Sequence, residues 1–304
     1  MKIAVIISTY NGEKYLREQL DSILAQSDVD LYLFVRDDGS SDATKSILAE
    51  YESEHDNIKV DYAQNVGVAN SFMNALYNTP DTFDYYAFAD QDDIWLKDKL
   101  SVAVGMLKET GKLLYASNQE CVDKDGNSMG MRYSNDVKIH TRPEEIMTCN
   151  SVAGCTMVFT KELKTVLCDE KNRPSPELLR NRIHDVWVAM VASLYDGIVY
   201  DVNSYILYRQ HGNNVVGAKQ GFIKRNKERI KKLRDEKYRC GRSKLAAEVI
   251  SLFPEQAEKC ALLKIAADTT KKGKKEILRH WQDFTDISSE SKALFKFKVR
   301  FDLF

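Results

Sequence analysis

The pattern that most constrains this chain is a strand-like run followed by a helix-like run, repeated between Ile3 and Leu107. Ile3 to Ser8 is apolar and β-branched without alternation, as in a strand buried on both faces of a parallel sheet. Leu16, Leu20, Ile23 and Leu24 then recur at i, i+4, i+7 and i+8, one face of a helix. Leu31 to Val35 precedes a helix bearing Ile47, Leu48 and Tyr51, which Ser41 or Asp42 can cap. Ile58, Val60 and Tyr62 precede one bearing Val68, Phe72, Met73 and Leu76. Tyr85 to Asp90 precedes one bearing Leu96, Leu100, Val104 and Leu107. Such alternation predicts a doubly wound, mostly parallel sheet flanked by helices. Ligands of these sheets bind beyond the carboxyl ends of the strands. Thr9 to Asn11, Asp37-Asp38, Asn65 to Gly67 and Asp90 to Asp93 all fall at such ends.

Beyond Leu107 the pattern loosens. Leu113 to Ala116 reads as a strand, Asp123 to Asn127 as a hairpin turn, and Ser151 to Phe159, with Gly154 inside, as a second apolar strand. Ile183 to Leu194 reads as a helix, and Ile198 to Val202 and Tyr205 to Tyr208 close the sheet. After Gly217 the composition turns basic. Lys224, Arg225, Lys227, Arg229, Lys231, Lys232 and Arg234 crowd one stretch, and Lys271, Lys272, Lys274 and Lys275 another. Phe295 to Phe304 alternates apolar with mostly basic residues. Residues 1–217 are therefore expected to form the α/β domain and 218–304 a basic, mainly helical appendix. Two roles suit the appendix: a solvated helical pair packed by its Leu and Ile faces, or peripheral attachment to an anionic membrane.

Several classes are excluded. The 44 Lys and Arg balance 45 Asp and Glu, so the whole chain carries no nucleic-acid signal. The six cysteines form no CxxC pair and no zinc-finger spacing, which points to reduced residues and a cytoplasmic setting. The apolar run at the N-terminus is too short for a signal peptide, and no stretch approaches the ~20 apolar residues of a membrane helix. GxGxxG, GxxxxGK[ST] and GxSxG are all absent. A phosphate site in this chain must then be built from a metal and loop amides.

Asp90, Asp92 and Asp93 close a buried strand. Carboxylates this close raise one another's pKa unless a cation sits among them. A divalent ion beneath a phosphate-bearing substrate is the simplest such cation. The Asp90-Gln91-Asp92 spacing is weak by itself, because acidic triplets are common in surface loops; the Tyr-Tyr-Ala-Phe-Ala run before it makes it a strand end. Asp38 can form an Asx-turn or accept the ring N–H of uracil or thymine. Asp185, opening an apolar helix, is either stabilised by the helix dipole or a general base for an acceptor hydroxyl. His211 is a solvated loop residue or a neutral metal ligand. Trp95 and Trp187 are packing residues or walls for a sugar ring.

Six segments occur in order: Ile-Ile-Ser-Thr-Tyr-Asn-Gly (6–12), Arg-Asp-Asp-Gly-Ser-Ser-Asp (36–42), Asn-Val-Gly (65–67), Asp-Gln-Asp-Asp-Ile-Trp (90–95), His-Asp-Val-Trp (184–187) and Tyr-Arg-Gln-His-Gly-Asn-Asn (208–214). Together, across residues 2–217, they resemble glycosyltransferase family 2 of the GT-A fold. The last three are similar to its bacterial rhamnosyltransferase-like members. The resemblance implies that Thr9, Tyr10, Asn11 and Asp38 hold the base and ribose of a UDP- or dTDP-sugar, with Asn65, Gly67, Asp90 and Gln91 also on the donor side. It implies that Asp92 and His211 hold Mg²⁺ or Mn²⁺ under the diphosphate, with Asp90 near the ribose or the metal and Asp93 beginning the next helix. Asp185 becomes the base of an inverting transfer, and Gly154 and Trp187 face the acceptor. The expected reaction moves a sugar, L-rhamnose from dTDP-rhamnose on this resemblance, to a hydroxyl of a growing, lipid-linked surface polysaccharide. Many relatives carry an Arg in the helix after Asn-x-Gly; Val68 to Ser71 has none. A sugar nucleotidyltransferase would need a basic, Gly-rich loop where Thr9 to Glu13 stands. A non-catalytic sugar-binding module would have no use for Asp185.

Overall fold

The computed structural model describes residues 1–181, 183–211 and 239–304. Arg182, Gly212 to Asn214, Gly217 and the basic stretch Lys224 to Arg234 lie outside them. In chain order the elements begin with β1 (Lys2–Thr9), α1 (Leu16–Leu24), β2 (Asp30–Asp37), α2 (Thr44–Glu54), β3 (Ile58–Tyr62), α3 (Val68–Asn78), β4 (Tyr85–Ala89), β5 (Ile94–Trp95) and α4 (Lys99–Thr110). They continue with β6 (Leu114–Val122), β7 (Ser128–Met131), α5 (Pro143–Thr148), β8 (Val158–Thr160), α6 (Lys161–Cys168), α7 (Pro176–Asn181), α8 (His184–Leu194) and β9 (Ile198–Arg209). The C-terminal helices are α9 (Gly241–Leu252), α10 (Pro254–Ala257), α11 (Ala261–Ala267), α12 (Lys271–Arg279), α13 (Trp281–Ser288) and α14 (Lys292–Arg300).

The chain forms two compact units. The first takes residues 1–139 and 152–168 and the chain from Gly197 through β9. Among the described residues its nine strands make one sheet in the order β3-β2-β1-β4-β8-β6-β9-β5, with β7 paired to β6. β1 lies between β2 and β4, parallel to both, and Ile3 to Ile7 are completely buried. Burial of each Ile or Val side chain among them is worth about 1.5–3 kcal/mol, which makes β1 the anchor of the sheet.

Register then sets where the loops emerge. Thr9 pairs with Asp37, Asp37 with Tyr62, and Ile7 with Ala89. The carboxyl ends of β1, β2, β3 and β4 therefore lie side by side. β5 reaches the same edge by another route. It pairs antiparallel with β9, Ile94 opposite Leu207, so two further places bring Asp92 to Arg209.

Three local expectations are corrected. Helix α4 starts at Lys99, not near Leu96: Ile94 and Trp95 are held extended by β9, and Leu96 is exposed. Asp93 consequently precedes a strand and begins no helix. The apolar stretch from Ser151 is a strand only at Val158–Thr160; Gly154–Thr156 forms a single 3₁₀ turn, closed by the Thr156 hydroxyl donating to the Ala153 carbonyl at 2.8 Å. Glycine inside a strand pattern often marks such a bend.

The second unit joins residues 140–151 and 169–196 to the C-terminal helices. The expected division at residue 217 follows composition, whereas the units follow packing. Every residue of α8 from His184 to Ser193 is buried. Trp187 meets Phe253 at 6.2 Å between ring centroids, and Arg242 donates to the Thr148 carbonyl at 2.8 Å and pairs with Glu290 at 3.0 Å. Phe284, Phe295 and Phe304 make an aromatic cluster. No helix among the described residues is long and apolar enough to cross a membrane.

Candidate functional site

The site is built in the first unit, where side chains tie neighbouring strand ends together. The Asp38 amide donates to the Thr9 carbonyl at 2.8 Å, and the Thr9 hydroxyl to Asp37 Oδ1 at 3.3 Å. Asp37 Oδ2 accepts from the Ser40 amide at 3.0 Å, folding the turn after β2. Asn11 adopts a left-handed conformation, φ 49°. Its amide donates to Ser40 Oγ at 2.9 Å and its Oδ1 accepts from the Ser41 amide at 2.9 Å, so it fastens the β1 loop to the β2 loop. Tyr10, 50% exposed, is left facing solvent.

Gln91 makes the next link. Its Oε1 accepts from the Tyr10 amide at 2.9 Å and its Nε2 donates to the Tyr10 carbonyl at 3.2 Å, as a neighbouring backbone would. Gly12 makes room for it: a Cβ there would stand 2.5 Å from Gln91 Oε1.

Asp38 is 2% exposed. It pairs with the Arg36 guanidinium and accepts from the Val66 and Gly67 amides, each at 3.0 Å. The carboxylate expected to read a base thus holds the Asn65–Gly67 loop. Gly67, at φ +84°, turns that loop into α3, and Asn65 Oδ1 accepts from its amide at 3.2 Å. Arg36 also donates to Ser71 Oγ at 2.8 Å, which brings a guanidinium from β2 onto the helix that lacks its own arginine.

The acidic loop meets the end of β9. Asp92 Oδ2 and His211 Nε2 lie 2.6 Å apart, each side chain 17% exposed. Two residues separated by 119 positions are therefore joined by the short β5–β9 pairing. Arg209, 3% exposed, supports them from below: its Nε donates to the Asp92 carbonyl at 3.0 Å, its amide to Asp93 Oδ1 at 3.1 Å, and its guanidinium pairs with Glu18 at 2.5 Å. The Tyr15 ring lies 4.6 Å from that guanidinium and 5.3 Å from the His211 ring, fixing the imidazole from its other side.

Asp93 and Cys155 are buried close to this pair. Burial, then the Asp92 and Asp90 charges, pushes the Asp93 pKa well above the usual carboxylate range. Ligand-type atoms of Asp90, Asp93 and Cys155 lie within 4.8 Å of one another. The Cys155 sulfur already accepts from Gln119 Nε2 at 3.1 Å, and burial raises the thiol's pKa. Asp92 and His211 are the more accessible pair. A carboxylate oxygen and an imidazole nitrogen at a strand-end opening fit a divalent cation.

Sequence reasoning placed Asp93 among the clustered carboxylates but missed Arg209, Tyr15 and Cys155 as parts of this assembly. Arg209 was signalled only by its place two residues before His211; Tyr15 and Cys155 carry no local mark, because long-range pairing assembles them. Gly154 sits buried in its 3₁₀ turn in the first unit. Asp185 and Trp187 belong to the second. Asp185 occupies the first turn of α8, its Oδ1 accepting from the Val186 amide at 2.6 Å. Trp187 is completely buried, its ring against that of Phe253.

A mixed sheet whose strand ends gather a polar loop, an acidic loop and a histidine has the layout of an α/β enzyme. Residues 4–163 match the family described as Glycosyl transferase family 2, and the chain belongs to that family. It is a glycosyltransferase with the GT-A fold. The chain is 31% identical to the dTDP-rhamnosyl transferase RfbG of Shigella flexneri, over 79% of this chain and 83% of that protein. It is 30% identical to the putative teichuronic acid biosynthesis glycosyltransferase TuaG of Bacillus subtilis, over 54% of this chain and 63% of that protein. Among solved structures, S. aureus TarS 1-349 in complex with UDP-GlcNAc matches with a TM-score of 0.59 at 18% identity, covering 99% of this chain and 92% of that one. The mannosyltransferase PcManGT from Pyrobaculum calidifontis, in complex with GDP-Man and Mn2+, matches with a TM-score of 0.51 at 18% identity, covering 99% and 86%.

Proposed function

We propose that this glycosyltransferase is metal-dependent and inverting, and moves L-rhamnose from dTDP-rhamnose to a hydroxyl of a growing, lipid-linked surface polysaccharide. The contact between Asp92 and His211 is the observation that carries the metal part of this reading. The identity with a dTDP-rhamnosyl transferase supports the donor. Asp92 and His211 would hold Mg²⁺ or Mn²⁺, with Asp90 beside them. When bound, the ion supplies positive charge where the diphosphate leaving group becomes more negative.

The chain's own residues supply the rest. Tyr10 and Thr9 line the base and ribose, Asn11 and Gln91 hold that loop, and Asn65 and Gly67 border the same edge. Asp38 takes the ring N–H of the pyrimidine, a donor like the Val66 amide it would replace. Asp185 removes the proton from the acceptor hydroxyl, and that oxygen attacks the anomeric carbon opposite the diphosphate, so configuration inverts. Gly154 keeps a side chain out of the acceptor's way.

Turnover of a panel of nucleotide-sugars, with and without chelator, tests the reading. We expect dTDP-rhamnose to be preferred, chelator to abolish turnover, Mg²⁺ or Mn²⁺ to restore it, and Asp185→Asn to bind donor without transfer. Full activity in chelator would remove the metal role. Near-normal turnover by Asp185→Asn would remove the base.

A further inference from the structure

Helix α14 carries three stripes. Phe295 and Val299 are buried and fix its inner face. Lys292, Lys296 and Arg300, spaced at i, i+4 and i+8, are exposed along one flank. Ala293 and Phe297, and Phe301 at the C-cap just past the helix, are exposed beside them. At 3.6 residues per turn Phe297 lies roughly half a turn from the buried stripe, the outermost position of the helix. Phe297 is 40% exposed and Phe301 59%, and their rings lie 4.6 Å apart. A helix on a merely solvated surface has no reason to place two packed aromatic rings there.

The charges around the rings are sorted as well. The inward cations are neutralised, Lys298 by Glu290 and Lys274 by Asp302. The outward ones are not: among the described residues, no ion pair engages Lys292, Lys296 or Arg300. Lys292 instead lies 4.0 Å from the Trp281 ring centroid. Helix α12, which packs on α14, adds exposed Lys271, Lys272 and Lys275. Aromatic rings beside unpaired cations suit an anionic bilayer, whose interface accepts the rings and whose headgroups accept the charges. A protein partner is the poorer match, because one helical stripe is far smaller than the roughly 800 Å² per side that a stable interface covers.

We propose that the outer face of α14 docks this enzyme on an anionic lipid surface, Phe297 and Phe301 entering the interface and Lys292, Lys296 and Arg300 meeting the headgroups. This docking stands on the α14 surface and is independent of the donor sugar and of the metal. It deepens the proposed lipid-linked acceptor by naming the surface that reaches it.

Co-sedimentation of the full chain with vesicles tests it, using phosphatidylcholine alone and phosphatidylcholine with roughly one quarter phosphatidylglycerol. We expect binding to the anionic vesicles only, weakening as salt rises. Phe297→Ser/Phe301→Ser and Lys296→Glu/Arg300→Glu should each weaken it tenfold or more, while turnover on a soluble saccharide acceptor is unchanged. All four side chains are exposed, so the variants should keep the wild-type far-UV circular dichroism. Absence of wild-type binding, or equal binding by wild type and both variants, would overturn the proposal. So would light scattering in which the Phe variant converts a wild-type dimer to monomer without loss of vesicle binding, since α14 would then be a dimer face. Because soluble-acceptor turnover is read separately, a failure of docking is distinguishable from a failure of the catalytic reading.

Discussion

Lys99 lies below the acidic loop with its ammonium 3.5 Å from the Trp95 ring centroid and no hydrogen-bond partner for Nζ. Burial pushes its pKa from an ordinary 10.5 down to about 7, although Cys155 and Asp93 pull the other way. Between those two pH values the unfolded chain holds a proton that the folded chain has released. Stability must therefore rise with pH across that window and be lower at neutrality. Lys99→Met should remove this slope and stabilise the protein at pH 7 by about 2–4 kcal/mol, after allowing for the lost ring contact. Denaturant titrations at pH 7 and at pH 10 read it directly; parallel curves for wild type and variant would refute it. Nothing near Lys99 in the sequence announces this role. Its position in a helix with Leu100, Val104 and Leu107 is ordinary; the Trp95 ring, Asp93 and Cys155 that surround it are brought there by long-range pairing.

At the scale of elements, the four strand–helix repeats were legible because their apolar spacing is local. The acidic triplet, Asn-Val-Gly and the Thr9–Gly12 loop were legible for the same reason: each breaks a strand. What was not legible is how the loops are joined. Gln91 serves as a backbone surrogate for Tyr10, and β5 is a two-residue strand set by its pairing with β9. Neither has a periodicity to detect. Gly12 is where this coupling can be tested, because a Cβ would collide with the Gln91 amide. Gly12→Ala should raise the donor KM about tenfold or more, by displacing Gln91 and releasing the Tyr10 loop. In Gly12→Ala/Gln91→Ala the collision is gone, so the double variant should lose less than the sum of the single losses. Strictly additive losses in donor titrations would mean that Gly12 and Gln91 act separately.

Across the whole molecule, composition and packing divide the chain differently. The shift to Lys and Arg after Gly217 is real in sequence, but α5, α7 and α8 lie before it and fold with the helices after it. Arg242 holds the Thr148 carbonyl, Ser175 Oγ donates to Glu248 at 3.0 Å, Lys244 pairs with Glu177 at 3.0 Å, and Phe253 covers Trp187. Within the alternating apolar and basic residues at 295–304, those up to Arg300 fold as the end of a helix, with Phe295 and Val299 on its buried face and Phe295 against Phe284 and Phe304. Truncation after residue 217 should therefore not yield a free catalytic domain. It would strip the cover from α8, whose residues Val186 to Ala192 are 6% exposed or less. A bare apolar helix of that length is an aggregation surface. We expect the truncated chain to be recovered as soluble aggregate or inclusion material, with large species by light scattering and weakened near-UV circular dichroism. A monodisperse monomer with the near-UV signature of a packed core would show instead that residues 1–217 fold alone, and that the C-terminal helices are an appendix after all.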